Sequence, residues 1–111
     1  MVNLVKHKSD SRAALAKLLA TASADFDVVY VDGSHEATDV LTDAVMSFHL
    51  LRVGGLIIFD DYLWSMNPVG QQDAFGMPKP AIDAFINIFQ RKLYVIPGPP
   101  IYQLFATKAF V

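Results

Sequence analysis

The sequence lacks several features that would assign it to a common functional class. It contains no cysteine, which excludes disulfides and thiolate metal sites. Its net charge of −2 provides no basic surface for nucleic acid. Its apolar runs are short, well below the about 20 residues that a membrane-spanning helix needs. No charged segment followed by an apolar one opens the chain, so we predict no secretory signal and expect a cytoplasmic protein.

Two nucleotide-binding motifs are also missing from the sequence. No G-x-G-x-x-G follows any predicted strand, and no G-x-x-x-x-G-K-[ST] occurs. The glycines of these motifs let the backbone approach phosphate groups closely. A dinucleotide or nucleoside-triphosphate site of those types is therefore unsupported.

The composition indicates one small domain with an unusually apolar sequence. The chain has 111 residues, of which 53% are hydrophobic and 18% charged. Typical soluble domains have about 45–50% and about 25%. The length suits a single core, so we assign residues 1–111 to one domain. The excess of apolar residues predicts strands that are buried on both faces, or an oligomer interface.

A strand–helix–strand unit dominates the middle of the sequence. Residues 27–31 form an apolar, β-branched run that is typical of a parallel strand covered on both faces. Apolar residues then recur at helical spacing for about four turns. We predict that Arg52 lies at the end of this helix, that Gly54-Gly55 stops it, and that residues 56–59 form the second strand. Such a unit is expected to be right-handed.

The flanking segments complete an α/β domain. We predict a short strand at residues 2–5, a helix over residues 12–22 and a helix from Pro80. Residues 92–96 and 101–106 surround a proline-rich turn and predict an antiparallel hairpin. The segment between residues 62 and 80 predicts a lid or binding loop, with a disordered insertion as the alternative. The fold class is thus α/β and Rossmann-like, with about five strands in a mixed sheet and three helices.

Acidic residues follow both strands of the central unit. Asp32 follows the first, and Asp60 and Asp61 follow the second. The carboxyl ends of neighbouring parallel strands share one sheet edge, so we expect the three carboxylates to meet there. Such hard oxygen ligands favour Mg²⁺ or Ca²⁺, and His35 is placed to act as a general base on a small hydroxyl-bearing substrate. Alternatively, the acids only cap turns or lie in solvent, and the histidine is a capping or surface residue.

Two segments carry a specific resemblance to a known family. The sequences FDVVYVDGSH, beginning at Phe26, and LRVGGLIIFDDY, beginning at Leu51, resemble class I S-adenosylmethionine-dependent methyltransferases. They are most similar to the metal-dependent O-methyltransferase branch, which includes macrolide-sugar enzymes. The resemblance implies the fourth and fifth strands of a seven-stranded sheet, with the hairpin supplying the last two.

The resemblance also implies roles for individual residues. It makes Asp32, Asp60 and Asp61 the metal ligands and His35 the catalytic base. Ser9-Asp10-Ser11 resembles the family's turn beside the cofactor adenine, which implies cofactor binding by Asp10 and Ser11, although Ser9 replaces the family's glycine.

One half of the family's pattern has no counterpart in these residues. The glycine-rich loop that holds S-adenosylmethionine and the acid for its ribose are missing, so we expect cofactor binding only if that half is supplied. The strand at residues 28–31 would present an unpaired edge, which either the strand at residues 2–5 or a second chain could cover, and we predict a homo-oligomer. We favour a truncated methyltransferase-like module that binds or assembles and keeps an Mg²⁺ site. The alternatives are an O-methyltransferase active as an oligomer or with a partner, and a fragment of a longer enzyme.

Overall fold

The computed structural model describes residues 11–21, 26–32, 35–65, 67–68, 70–97 and 103–111. In these residues three α-helices alternate with four strands. The elements in chain order are α1 (Ser11–Thr21), β1 (Phe26–Val31), α2 (Ala37–Leu50), β2 (Leu51–Phe59), a 3-10 turn (Ala74–Gly76), α3 (Pro78–Ile88), β3 (Leu93–Ile96) and β4 (Leu104–Lys108).

The described strands form one mixed sheet in the order β1-β2-β4-β3. Strand β1 runs parallel to β2, and β4 runs antiparallel to both β2 and β3. The α/β class, the strand–helix–strand unit and the antiparallel pair at the end of the chain are therefore confirmed. The sheet has four strands rather than about five, because the strand predicted at residues 2–5 lies outside the described residues.

The junction between α2 and β2 differs from the prediction. The helix ends at Leu50 and the strand begins at Leu51, whereas Gly54-Gly55 was predicted to stop the helix. Arg52 therefore lies in β2 and pairs with Asp27 of β1, rather than lying at the helix end. The glycines belong to a bulge: Phe26 pairs with Leu51 but Val28 pairs with Leu56, and Gly54 has a φ of +85°. Glycine adopts a positive φ of this kind without strain, which lets β2 accommodate the extra residues.

The core lies between one face of the sheet and the helices. Because side chains alternate along a strand, each strand sends every second residue to this face. Phe48 of α2 and Phe85 of α3 are fully buried there, against Ile57 and Phe59 of β2. The core cluster comprises Val31, Val40, Ala44, Phe48, Leu51, Ile57, Phe59, Ala81, Ile82, Phe85, Leu93 and Ala106. This packing fixes the carboxyl ends of β1 and β2 relative to each other.

The other side of the sheet carries apolar residues that are not part of this core. Pairing places Val28 beside Leu56, Tyr30 beside Ile58, and Phe105 beside both Ile58 and Ile96. We call this side of the sheet, with these six residues, the open face. None of the six belongs to the buried core or packs against it.

Helix α3 begins earlier than predicted. Its first residue is Pro78 rather than Pro80, and Pro78 is buried. A proline suits the first turn because the amide that it lacks would have no helical partner. The loop after β2 is correspondingly shorter and contains the 3-10 turn. Within the described ranges, no helix combines the length and apolarity needed to cross a membrane.

Candidate metal centre

Three carboxylates meet at the carboxyl ends of β1 and β2. One oxygen each of Asp32, Asp60 and Asp61 lies within 4.8 Å of the others. Asp32 is exposed, and the other two are partly buried. The parallel register explains the meeting, because Val31 pairs with Phe59 and the acids follow directly. The predicted convergence of these three side chains is thus present in the structure.

The backbone holds the two consecutive acids in a fixed turn. The amide of Asp60 donates to the carbonyl of Val31 at 3.1 Å, which continues the ladder by one residue. Asp61 then adopts a φ of +56°, in the left-handed region. Asp and Asn tolerate this conformation better than most other residues. The carbonyl of Asp61 accepts from the amide of Trp64 at 2.9 Å, which closes the turn.

Neighbouring donors keep Asp60 ionised. Nε2 of Gln103 donates to Oδ1 of Asp60 at 3.3 Å, and the Tyr30 hydroxyl also hydrogen-bonds this carboxylate. Burial acts to raise the pKa of Asp60, but the hydrogen bonds from Tyr30, the Asp61 backbone and Gln103 together lower it. The same contact with Asp60 raises the pKa of the Tyr30 hydroxyl.

Asp32 has the opposite electrostatic environment. Burial, followed by the negative charges of Asp60 and Asp61, raises the pKa of its carboxyl group. A hydrogen bond between Asp32 and Asp60 raises the pKa of the first and lowers that of the second. Like charges this close make full ionisation of both carboxyl groups less favourable unless a cation is bound between them. Protonation of the cluster would therefore compete with the binding of a metal ion.

His35 lies beside the cluster and contacts one of its members. Its Nε2 lies 2.9 Å from Oδ2 of Asp61. The ring stacks on Trp64, with centroids 4.0 Å apart and an angle of 18° between the planes. The His35 ring is thus held on one face by an aromatic plane and at its edge by a carboxylate. An imidazole nitrogen so placed is within reach of a hydroxyl group bound near Asp61.

The donor set fits a small, hard divalent cation. The cleft between the acids is lined by all three of them, His35 and apolar residues that include Val31, Phe59 and Ile82, and has a volume of about 10 Å³. A space of that size holds about one water molecule or ion. Opposite ligands of Mg²⁺ lie about 4.2 Å apart and those of Ca²⁺ up to about 5 Å apart. Three carboxylate oxygens that all lie within 4.8 Å of one another are therefore compatible with either ion after small side-chain adjustments.

The other two predicted site residues are the cofactor-binding residues Asp10 and Ser11. Asp10 lies outside the described residues. Ser11 is the first residue of α1, and only its backbone is described. Their predicted contact with a cofactor stays a prediction.

Sequence reasoning missed the supporting residues of the cluster. It assigned no role to Tyr30 or Gln103 and did not foresee the stack on Trp64. The alternation of Tyr30 with the partly buried Val29 and the buried Val31 places it away from the core, but nothing in the sequence shows that it contacts Asp60.

Comparison with known proteins identifies the family. Residues 2–62 match the sequence model of a family described as "Methyltransferase domain". This match covers more than half of the chain and includes both acid-ended strands. The chain belongs to this methyltransferase-domain family. Among curated protein sequences, no match was found.

Solved structures of methyltransferase and related proteins share the fold of this methyltransferase-domain chain. The MycE methyltransferase from the mycinamycin biosynthetic pathway, in complex with Mg, SAH and mycinamycin VI, matches 96% of the chain at 20% identity with a TM-score of 0.67. A second crystal form, with Mg and SAH, matches the same share at 21% identity with a TM-score of 0.61. A protein from Corynebacterium glutamicum matches 87% of the chain at 21% identity with a TM-score of 0.63.

The methyltransferase-domain chain corresponds to only part of these structures. It covers 31% of the MycE chain and 45% of the Corynebacterium protein. It is thus a methyltransferase-like domain that matches a fragment of larger proteins with this fold.

Proposed function

We propose that these 111 residues form a metal-binding module of the methyltransferase fold that holds Mg²⁺ and does not transfer methyl groups by itself. The observation that carries the proposal is the meeting of three carboxylate oxygens within 4.8 Å at the end of two parallel strands. The fold relative MycE was crystallised with Mg. Burial, followed by the negative charges of Asp60 and Asp61, raises the pKa of Asp32, and a cation bound among these carboxylates would relieve that repulsion.

Each residue of the cleft would have a separate role. Asp32, Asp60 and Asp61 would hold the ion, with Tyr30 and Gln103 orienting the Asp60 carboxylate. A bound Mg²⁺ supplies electrostatic stabilisation of negative charge on an oxygen atom. His35 is stacked on Trp64 and donates from Nε2 to the Asp61 carboxylate, so Nδ1 is the nitrogen that would accept a proton from a hydroxyl-bearing ligand.

A binding or assembly role, rather than independent catalysis, follows from the chemistry of the cofactor. A phosphate-free, nucleoside-containing cofactor still needs a backbone loop and a polar ribose contact, and the sequence offers no glycine-rich segment after a strand. The described cleft among the acids, of about 10 Å³, is of a size for an ion. We therefore expect metal binding without cofactor binding in the isolated chain.

A second function, O-methyl transfer dependent on S-adenosylmethionine, is favoured by one observation. His35 lies at hydrogen-bond distance from a predicted metal ligand, which is a suitable position for a general base. An acid cluster that only binds metal would not need it. This activity would require a cofactor-binding half from an oligomer or another chain.

Calorimetric titration separates the two functions. Mg²⁺ and S-adenosylmethionine are titrated separately and together into the purified chain. The module predicts saturable heat with Mg²⁺ and none with S-adenosylmethionine in either order. Cofactor binding by the chain alone would refute the expectation that the isolated chain binds metal without cofactor, and no Mg²⁺ binding would refute the metal site.

A matched pair of variants locates the binding. Asp32→Asn removes one carboxylate of the cluster, and we expect at least a tenfold weaker Mg²⁺ affinity. Asp27→Asn removes an acid from the same strand at the opposite end, where it pairs with Arg52. Affinity in this control should stay within twofold. Equal effects of the two variants would indicate that Mg²⁺ binds only through the overall charge.

A further inference from the structure

A series of three side chains joins the turn of the two consecutive acids to helix α3. The hydroxyl of Tyr62, the residue directly after Asp61, donates to Oδ1 of Asp83. The other carboxylate oxygen of Asp83, Oδ2, accepts from Nζ of Lys79 at 2.6 Å, one turn earlier in α3. The same Nζ lies 5.4 Å from the centre of the Tyr62 ring. We call Tyr62, Asp83 and Lys79 the clamp.

The clamp is attached to a well-packed part of the fold. On α3, Ile82 and Phe85 are almost completely buried in the core, and Asp83 follows Ile82 directly. Ile82 also lines the cleft between the acids, so this turn of α3 borders the candidate metal centre. The Tyr62 side chain packs against the core as well. Tyr62 is therefore held both by apolar packing and by a charge-assisted hydrogen bond.

The backbone conformation of Asp61 depends on its surroundings. Its φ of +56° is uncommon for a residue other than glycine. Such a conformation persists where the surrounding structure fixes it. The hydrogen bond from the amide of Asp60 to the carbonyl of Val31 fixes the residue before Asp61, and the clamp fixes the residue after it. The direction of the Asp61 carboxylate therefore depends on the clamp.

Asp83 has no direct part in the metal centre. Among the described residues, the group of acids that could hold a metal ion does not include it. One of its oxygens accepts from Tyr62 and the other from Lys79. The side chains of Lys79 and Asp83 are 42% and 44% exposed, and ion pairs this exposed add little to stability. The arrangement is thus better explained by where it holds Tyr62 than by a contribution to the stability of the fold.

How firmly the acids are held determines which cation they prefer. Mg²⁺ requires nearly ideal octahedral geometry with oxygen ligands at about 2.0–2.1 Å, whereas Ca²⁺ accepts flexible geometry at about 2.3–2.6 Å. The spacing of the three carboxylate oxygens, all within 4.8 Å of one another, is compatible with either ion. The choice between the two ions then depends on how far the ligands can move.

We propose that the clamp positions Asp61 and thereby gives the metal centre a preference for Mg²⁺ over Ca²⁺. The inference rests on the proposed Mg²⁺ site. Tyr62 and Asp83 are positioning residues that do not touch the ion, and Lys79 holds the Asp83 carboxylate in place. Without the clamp, Asp61 relaxes. The precise geometry that Mg²⁺ requires is then lost, but the acid cluster still suits Ca²⁺.

Calorimetry with Mg²⁺ and with Ca²⁺ on two matched variants tests the preference. Tyr62→Phe removes the hydroxyl of the clamp, and Tyr94→Phe removes the hydroxyl of a tyrosine in β3 that is 68% exposed. We expect Tyr62→Phe to weaken Mg²⁺ binding about tenfold and Ca²⁺ binding less than about threefold. The ratio of the Ca²⁺ to the Mg²⁺ dissociation constant should therefore fall. Tyr94→Phe should leave both affinities within about twofold.

Two variants of Asp83 separate its hydrogen bond from its charge. Asp83→Asn loses the charge but keeps an oxygen that accepts from Tyr62, so the ratio should stay within about twofold. Asp83→Leu has no acceptor and should reproduce the effect of Tyr62→Phe. Combining Asp83→Leu with Tyr62→Phe should add nothing, because both substitutions break the same hydrogen bond. A general loss of stability would instead weaken the binding of both ions together.

Hydrogen exchange in the metal-free protein tests the positioning without any ion. The Trp64 amide donates to the carbonyl of Asp61, so its protection reports whether this turn is closed. Tyr62→Phe and Asp83→Leu should speed its exchange at least about fivefold while the amides of β2 stay protected. Tyr94→Phe and Asp83→Asn should leave the rate unchanged.

Three results would overturn the proposal. The first is an unchanged ratio of dissociation constants in Tyr62→Phe and Asp83→Leu. The second is exchange of the Trp64 amide in these variants at the rate of the unsubstituted chain. The third is a loss of preference in Asp83→Asn as large as in Asp83→Leu, because charge would then act directly. A chain that binds neither ion would refute the proposed Mg²⁺ site and the preference with it, and Trp64 exchange would still show whether the clamp holds the turn.

Discussion

The two ends of strand β2 differ in the sign and the burial of the charged side chains beside them. At its carboxyl end, Asp60 and Asp61 lie with Asp32 in a cluster of like charge that remains partly open to solvent. Near its amino end, the single cation of Lys108 is 2% exposed. Its Nζ donates to the carbonyls of Leu51 and Phe48 at 2.7 and 3.0 Å, and lies 4.3 Å from the centre of the Phe48 ring.

The difference separates stability from function. Lys108 satisfies carbonyls at the end of α2, where the helix dipole is negative, so its charge is compensated within the fold. Burial, together with the charge of Lys92, lowers the pKa of Lys108, which shows that its position has a cost. At the other end, Asp60 receives hydrogen bonds from Tyr30 and Gln103, but burial and the charges of Asp60 and Asp61 raise the pKa of Asp32. Charge that the fold does not neutralise is available to a ligand.

The largest effect is expected at the buried cation. Lys108→Ala removes two charge-assisted hydrogen bonds and the packing on Phe48, and we expect about 3 kcal/mol lower unfolding free energy. Chemical denaturation measures the change, and Mg²⁺ affinity should stay within twofold. Lys92→Ala, at an exposed lysine, is the control and should cost less than about 0.5 kcal/mol. Loss of Mg²⁺ binding in a Lys108→Ala variant that still folds would show that the buried lysine affects the metal site as well as stability.

Asp61 allows charge and backbone strain to be separated at the other end. Asp61→Asn keeps a residue that tolerates the left-handed φ of +56°, and Asp61→Ala does not. Both should weaken Mg²⁺ binding at least tenfold, because both remove a ligand charge. Only Asp61→Ala should also lower stability, by about 1 kcal/mol. Unchanged Mg²⁺ affinity in Asp61→Asn would show that this carboxylate is not a ligand.

A smaller effect follows from the raised pKa of Asp32. Its folded-state pKa lies above the ordinary value, so the protonated form is favoured by folding and stability is lost as pH rises through the folded pKa. Asp32→Asn should therefore raise the melting temperature of the metal-free protein at pH 7, by about 2 °C after allowance for solvent screening. The gain should vanish below about pH 4, where Asp32 is protonated in both states. A destabilised variant at pH 7 would contradict the charge repulsion.

Mg²⁺ affinity should depend on pH for the same reason. Binding requires ionised ligands, so affinity should fall about tenfold per pH unit once the pH lies below the folded pKa of Asp32. Calorimetry at several pH values measures the slope. Affinity independent of pH down to pH 4 would show that Asp32 is already ionised or is not a ligand.

The smallest effect is expected at the exposed ion pair near the amino ends of β1 and β2. The Nε atom of Arg52 lies 2.5 Å from Oδ1 of Asp27, and both side chains are more than half exposed. Exposed pairs contribute about 0–1 kcal/mol. Arg52→Gln should change the unfolding free energy by less than about 0.5 kcal/mol, despite lying close in sequence to Leu51. A loss similar to that of Lys108→Ala would show that burial is not what makes the lysine important.

The sequence predicted the parts of the fold that depend on local periodicity. The apolar run before Asp32, the helical spacing of α2 and the turn before the last strand were sufficient to place the acids at one sheet edge. The sequence did not predict that α2 ends at Leu50 and that β2 begins at Leu51. A pair of glycines such as Gly54-Gly55 is typical both of the end of a helix and of a bulge in a strand. Local signals cannot distinguish the two without the pairing partner.

The supporting contacts of the site depend on tertiary structure. Gln103 and Tyr30 are 73 positions apart and meet only because β4 pairs with β2. A lysine in a terminal strand, such as Lys108, is normally expected to be exposed. Its burial follows from the register that places it against α2, and the sequence contains no signal for that.

The most direct test of the central claim is a crystal structure of the chain grown with Mn²⁺ and measured at an anomalous wavelength. The account predicts one strong anomalous peak within about 2.3 Å of carboxylate oxygens from Asp32, Asp60 and Asp61. A peak elsewhere on the molecule, or an ordered cluster with no metal at millimolar Mn²⁺, would contradict it.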